Sequence, residues 1–289
     1  MATNMPGVRS FSRRFVAGTT RSDALAAVAR LNAAGFGATV SYLGEAVTTA
    51  AEVQAAIEEL QSFVREAAAR GLQVYVSVKL TELGLAFDEG LMRASLALVL
   101  RAADECGTFV RVDMEESRYT QVTLDIVREA RRTHVNVGVV VQAYLYRSRD
   151  DIPALAREGV PVRLVKGAYR EPASVAMQSK SEVNMNFARL ADLYLRERAE
   201  RAWLAVATHD DRMVRAAIAS ATRYATPAES IEFQMLYGIR QDLQQQLRDD
   251  GRRVRVYVPY GTHWYPYLMR RLAERPANLW FFVRAAVRR

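Results

Sequence analysis

The chain has 289 residues, of which 50% are apolar and 25% charged, with a formal net charge of +8 and one cysteine, Cys106. That length suits one α/β barrel or two small domains; the lone cysteine excludes an intramolecular disulfide, and no run of about 18 apolar residues offers a membrane-spanning helix. The positive balance would suit nucleic acid or an anionic membrane, but the arginines are spread along helices and not clustered with aromatic residues, which argues against a nucleic-acid partner.

Residues 1–36 read as an N-terminal extension with a short helical prelude. Arg9, Arg13 and Arg14 lack the apolar stretch a secretory leader needs, and a cytoplasmic location is expected. Beyond them, β-branched runs recur at 38–43, 73–80, 109–113, 136–144, 161–166, 203–208, 230–235 and 253–258. Helical patterns at 51–70, 89–105, 119–133, 149–158, 181–201, 210–222, 238–249 and 264–274 follow them in turn. Each strand-to-strand repeat takes about 25 to 35 residues, the size of a βαβ unit. The strands read as near-continuous apolar runs, as expected when both faces are buried. Eight strands alternating with eight helices, with no linker, predict an α/β chain folded as one closed (β/α)8 TIM-type barrel over 37–289. An open doubly wound sheet would need a Gly-x-Gly-x-x-Gly turn after its first strand; Gly35-Phe36-Gly37 precedes that strand and lacks the pattern. The tail 279–289 joins Trp280, Phe281 and Phe282 to terminal arginines, suited to covering one barrel end or to meeting a partner or membrane surface.

In such a barrel, chemistry collects where the strands end. In chain order the ends deliver Glu45, Lys79, Asp113 with Glu115, Gln142, Arg163 with Lys166-Gly167-Ala168-Tyr169, Thr208-His209, Glu232 with Gln234 and Leu236, and Tyr257. Only three of the basic residues are lysines (Lys79, Lys166 and Lys180), and two of them fall on this rim. Lys79 can pair with Asp113, hold a substrate anion, or do both. Asp113 and Glu115 at the end of the third strand are expected to face opposite ways, with one of the two in solvent. Arg163 inside a buried strand requires an anionic or strongly polar partner. Lys166-Gly167-Ala168 has the charge and open backbone that diphosphate needs, though glycine after a strand also makes a plain turn. His209 reads equally as a satisfied core histidine or a cofactor contact. No metal site is expected, since His134, His209 and His263 are scattered. Schiff-base chemistry at Lys79 or Lys166 remains open on this fold.

The last predicted helix carries two unlike stripes. Tyr265, Leu268, Met269 and Leu272 form an apolar one, while Tyr267, Arg270, Arg271 and Glu274 line the next at i, i+3, i+4 and i+7. Paired guanidinium groups beside aromatic rings suit a small carboxylate or phosphate; a solvated face with an Arg–Glu pair would look the same.

Tyr257-Val-Pro-Tyr-Gly-Thr-His263, Arg270-Arg271-Leu-Ala-Glu274, Arg163-Leu-Val-Lys-Gly-Ala-Tyr169, Leu43-Gly-Glu45 and Glu232-Phe-Gln-Met-Leu236 together resemble the proline dehydrogenase family, in its bacterial monofunctional form. The resemblance runs in order from the first strand to the last helix, and only the flanking segments look short for the family. It implies an FAD enzyme that oxidises L-proline to Δ1-pyrroline-5-carboxylate, with hydride passing from proline C5 to flavin N5 and a quinone accepting the electrons. It further implies that Lys79, Arg270 and Arg271 clamp the substrate carboxylate, that Tyr257, Tyr267, Tyr169 and Leu236 surround the ring, and that Glu45 gates the site by pairing with Arg270. Asp113 and Arg163 become the catalytic polar pair. Arg163, Met114, Gln142, Val165, Lys166, Gly167, Ala168, Thr208, His209, Gln234 and Glu274 become FAD contacts, with Lys180 toward the adenylate end. A Δ1-pyrroline-5-carboxylate dehydrogenase and the inner face of the membrane enter as further partners. Another FAD barrel, of the methylenetetrahydrofolate reductase type, is the alternative, but the double arginine and the tyrosines suit a small amino acid better.

Overall fold

The computed structural model describes residues 14–44 and 47–273. Helix α1 (Arg21–Ala33) starts on a capping box in which Thr20 and Asp23 satisfy each other's backbone amides. Then β1 (Gly37–Tyr42), α2 (Ala50–Ala69), β2 (Val74–Val78), α3 (Glu89–Glu105), β3 (Val110–Val112), α4 (Thr120–Ala130), β4 (Val137–Gln142) and α5 (Ser148–Arg157) make the first half. The second half is β5 (Val162–Val165), α6 (Lys180–Glu197), β6 (Leu204–Ala207), α7 (Asp211–Arg223), β7 (Ile231–Leu236), α8 (Gln241–Asp249), β8 (Val254–Tyr260) and α9 (Trp264–Ala273). The eight strands form one closed barrel in chain order, every pair parallel, with β8 returning to β1 in the register Gly37↔Arg255 to Tyr42↔Tyr260. This is the predicted (β/α)8 architecture.

One strand expectation needs correction: the strands are not apolar on both faces. Val76, Val78, Val110, Val112, Val139, Val141, Leu164, Val206, Phe233 and Val256 join the core cluster under the helices. The alternate positions hold Ser77, Arg111, Arg163, Gln234 and Arg255, all buried. These face the lumen, because Arg163 on β5 reaches Ser77 on β2 and Asp113 beyond β3. Short β-branched runs hide this period of two, since a single polar residue per strand is enough to line a narrow barrel.

Glycine makes room for that lining. A Cβ on Gly138 would lie 2.4 Å from the Pro161 carbonyl and 2.7 Å from Nη1 of Arg111, so only glycine admits the guanidinium there. Some helix bounds differ from those the periodicity predicts. α8 starts at Gln241 instead of 238, because Arg240 takes φ 51°, ψ 49° just before it. α6 starts at Lys180 and ends at Glu197, with Arg198 leaving the helix at ψ 135°.

α1 lies against β8 and β1, burying Ala24, Leu25, Ala27 and Val28 in the main core. The segment ahead of it crosses the end of β8, where the Ala17 amide donates to the Pro259 carbonyl at 2.9 Å. There Phe15, Val16, Leu43, Trp264 and Tyr267 form a separate apolar cluster. That cluster seats the start of α9 at the C-terminal mouth of the barrel, with Tyr265 and Met269 packed against it.

Candidate active site

Asp113 is the hub of the upper lumen. Its backbone amide donates to the Val78 carbonyl at 2.8 Å, which continues the β2–β3 ladder and fixes the start of the side chain. Oδ1 accepts from Arg163 Nη1 at 2.9 Å and from Ser77 Oγ at 3.0 Å, and Oδ2 accepts from the Tyr257 hydroxyl at 3.1 Å. Arg163 also donates from Nε to Gln234 Oε1 at 2.6 Å and lies 5.3 Å from the centre of the Tyr257 ring. The buried arginine thus has the anionic partner its position demands. Gln234 is oriented in turn by Glu232, whose Oε1 accepts from its Nε2 at 2.6 Å. Burial, and next the charge of Asp113, raise the Tyr257 phenol above its ordinary range, so it stays a neutral donor.

Two expectations are corrected here. Lys79 does not pair with Asp113; its Nζ lies 2.9 Å from Glu82 Oε1, one turn further along the chain. Burial works to discharge this ammonium, but the negative charges of Glu82 and, next, Asp113 outweigh it and raise the group. Nor does either of Asp113 and Glu115 stand in solvent. Glu115 is 8% exposed and accepts from the Thr81 amide and hydroxyl, and burial raises its carboxyl above the ordinary value.

A cavity of about 650 Å³ opens from this cluster toward the C-terminal loops. It is lined by Lys79, Asp113, Arg163, Tyr257, Tyr267, Tyr169 and Leu236, and further out by Met114, Gln142, Val165, Lys166, Gly167, Ala168, Thr208, His209 and Gln234. The predicted site residues that are described therefore share one space. Lys180 lines it too, so all three lysines of the chain meet there. Glu45 and Glu274, and the side chains of Arg270 and Arg271, lie outside the described residues; α9 carries the two arginines in its last turn.

The outer wall is built for close approach. Gly167 has φ +128°, and a Cβ there would sit 2.3 Å from the Tyr144 ring. Gln142 donates to the Glu115 carbonyl at 2.9 Å, leaving its Oε1 toward the Ala168 amide at 3.4 Å. Lys166 Nζ is 2.9 Å from Asp210 Oδ2. Burial pushes Asp210 up, but Lys166 and the Arg212 amide hold it down at about 2. His209 accepts from the Leu236 amide at Nε2, 3.0 Å, which places its ring proton on Nδ1. Its two readings are compatible, since the ring both ties β7 in place and lines the cavity. Sequence reasoning placed Ser77, Asp210 and Met235 at strand ends without giving them a role, and missed Glu82, Val140 and Ala207. The period of two would have found Ser77, Val140 and Ala207, two positions before Lys79, Gln142 and His209.

These residues fit a flavin dinucleotide. Met114, Val140, Val165, Ala207, Met235 and Leu236 form an apolar wall suited to a flat ring system, while Lys166, Lys180 and the Gly167–Ala168 backbone supply cations and open amides suited to diphosphate. Among the described residues no cluster of three or more His, Cys, Asp or Glu could hold a metal, and no helix is long and apolar enough to cross a membrane.

Comparison with known proteins points the same way. The family model described as proline dehydrogenase matches residues 24–284. Proline dehydrogenase 1 of Bacillus subtilis subsp. natto is 40% identical over 283 residues, 98% of this chain and 93% of that one. Proline dehydrogenase of Deinococcus radiodurans is 37% identical over 286 residues, covering 96% and 91%. The crystal structure of proline utilization A from Bdellovibrio bacteriovorus, inactivated by N-propargylglycine, superposes with a TM-score of 0.85 at 27% identity, over 92% of this chain and 33% of that longer one. With the family model matching most of the chain and a relative 40% identical over 98% of it, the chain belongs to the proline dehydrogenase family of oxidoreductases.

Proposed function

We propose that the chain oxidises L-proline to Δ1-pyrroline-5-carboxylate with FAD as cofactor and a quinone as electron acceptor. The observation that carries this reading is the hydrogen-bonded set Asp113–Arg163–Tyr257 at the inner end of a cavity with three lysines on its wall. Lys79, with Arg270 and Arg271, holds the substrate carboxylate, and cations at several angles around one carboxylate orient the ring as well as bind it. Tyr257, Tyr267, Tyr169 and Leu236 enclose the ring, and Glu45 closes over it by pairing with Arg270. Met114, Gln142, Val165, Lys166, Gly167, Ala168, Thr208, His209, Gln234 and Glu274 hold the cofactor. FAD, when bound, supplies the acceptor for a hydride leaving proline C5.

Arg163 contributes a fixed positive charge beside the reacting centre. Its guanidinium is locked by Asp113, Ser77 and Gln234, so it needs no rearrangement to stabilise negative charge that develops there. Tyr257 keeps Asp113 from turning toward the substrate. No strong base is required of the protein, because the carbon that loses hydride adjoins the amine nitrogen. The enzyme works in the cytoplasm, with the inner membrane face as the site of quinone exchange and a Δ1-pyrroline-5-carboxylate dehydrogenase as the consumer of product. The test is spectroscopic: purified protein should be yellow and should bleach when L-proline is added anaerobically. A colourless preparation that FAD cannot reconstitute, or a flavin that NADH bleaches faster than proline does, would overturn the reading.

A further inference from the structure

Lys79 stands between two spaces. On one side is the large cavity with Asp113 and Tyr257; on the other is a small side pocket lined by Tyr42, Gly44, Val47 and Glu82. Lys79 lines both, whereas Glu82 lines only the side pocket of the two. The ammonium is drawn to that side, 2.9 Å from Glu82, and the Asp113 oxygens are engaged by Ser77, Arg163 and Tyr257. The side chains of Lys79 and Glu82 are 16% and 23% exposed, dry enough for the pair to matter and open enough for it to part. The turn Thr81–Leu83 that presents Glu82 is itself pinned, because Glu115 accepts from both the amide and the hydroxyl of Thr81. The carboxylate is therefore the fixed partner and the flexible four-carbon lysine the mobile one.

We propose that Glu82 is a competing counter-ion that sets the affinity for anionic ligands, holding Lys79 toward the side pocket until a substrate carboxylate enters the main cavity and draws it across. The inference rests on the reading of Lys79 as a carboxylate ligand. Its consequence is selective: an anion offers Lys79 a replacement charge, while a neutral ring of the same shape offers none and leaves the Glu82 pair closed. Glu82 thereby lowers affinity for every ligand that must recruit Lys79 and leaves the others untouched, so it narrows the gap between anionic and neutral rings of one shape.

The experiment measures binding, not turnover. Cyclopentanecarboxylate keeps the ring and the anion, and cyclopentanecarboxamide keeps the ring without the charge. Calorimetric titration of the purified full-length protein with each is expected to show Glu82→Gln tightening the carboxylate about 5-fold and leaving the amide unchanged. In a Lys79→Met background Glu82→Gln should have no effect on either. Carboxylate affinity that is unchanged or weaker in Glu82→Gln, while Lys79→Met alone loses it, overturns the counter-ion role and leaves the carboxylate clamp standing. Carboxylate affinity indifferent to Lys79→Met overturns the clamp assignment of Lys79, and the proposal with it. Glu82→Asp, which keeps the charge and withdraws it by one methylene, replaces Glu82→Gln if that variant does not fold, with a smaller tightening expected and its absence again overturning the proposal.

Discussion

The barrel lumen holds two charged layers that look alike in composition and differ in what surrounds them. In the lower layer Arg255 donates from Nε to both oxygens of Glu232 at 2.9 and 3.0 Å, and Arg111 donates to the Val139 and Pro161 carbonyls. Tyr75, Phe109 and Trp203 lie with ring centres 5.1 to 6.2 Å apart at the strands' N-terminal ends and hold both guanidinium groups against their faces. Arg111 Nη2 has no hydrogen-bond partner, and its guanidinium is stacked 4.9 and 4.6 Å from the Phe109 and Trp203 ring centres instead. In the upper layer Asp113 and Arg163 are as well paired, but they border a cavity large enough for ligands. The difference is that between a floor and a site. Buried charge becomes functional where one side of its cage is left open, and structural where aromatic rings shut it.

That contrast is most directly broken by removing one carboxylate from each layer. Glu232→Ala strands Arg255 in the sealed layer and should cost about 3–5 kcal/mol of stability, read from the urea midpoint. Asp113→Ala strands Arg163 beside an open cavity where water can reach it, so its stability loss should be clearly smaller. Its kcat should nevertheless fall by about 100-fold or more, because the positive charge at the reacting centre loses its fixed orientation. Equal destabilisation by the two variants would show that the layers do not differ in access.

A smaller effect sharpens the outer end of the cavity. Lys166→Met removes a cation assigned to diphosphate, and flavin titration by fluorescence should show affinity falling about 10-fold. Affinity unchanged within error would remove Lys166 from the cofactor site and leave it as the partner of Asp210 alone.

How far the sequence reveals these layers depends on what each residue's neighbours contribute. The barrel itself is legible, because the β-branched runs and helical stripes repeat locally at the length of a βαβ unit. The rim is legible for the same reason: Lys79, Asp113 and Lys166 end their strands, and strand ends face one way. The floor is not. Arg111 and Arg255 each sit between two valines inside a strand, and nothing nearby in sequence says that Phe109 and Trp203 will meet over Arg111 or that Gly138 will leave it space. Partner choice is the other illegible part. Lys79 has Asp113 on the neighbouring strand as an apparent partner, but Ser77 beside it and Arg163 and Tyr257 from other strands already donate to that carboxylate, and a residue three along the chain takes the lysine.

The smallest expected effect separates the outer rim from the floor by pH. Asp210 is held at about 2 in the folded chain against 3.8 for the free group, chiefly by Lys166 once burial is overcome. A carboxylate with a depressed folded value contributes stability that is fully present above about pH 4 and is lost as pH falls through about 2. Because the Asp210 and Lys166 side chains are 20% and 27% exposed, solvent screens the pair, and the contribution should be about 1 kcal/mol or less. Denaturation curves between pH 4 and pH 2 should therefore be steeper in pH for the wild type than for Lys166→Met, while Glu232→Gln behaves differently. There the lost charge is that of a fully buried carboxylate whose value burial raises but Arg255 lowers below the ordinary one, so stability should already be reduced at neutral pH. An acid slope identical in wild type and Lys166→Met would mean that Lys166 does not stabilise the Asp210 carboxylate, and that the amide and guanidinium of Arg212 hold it in its place as the cap of α7.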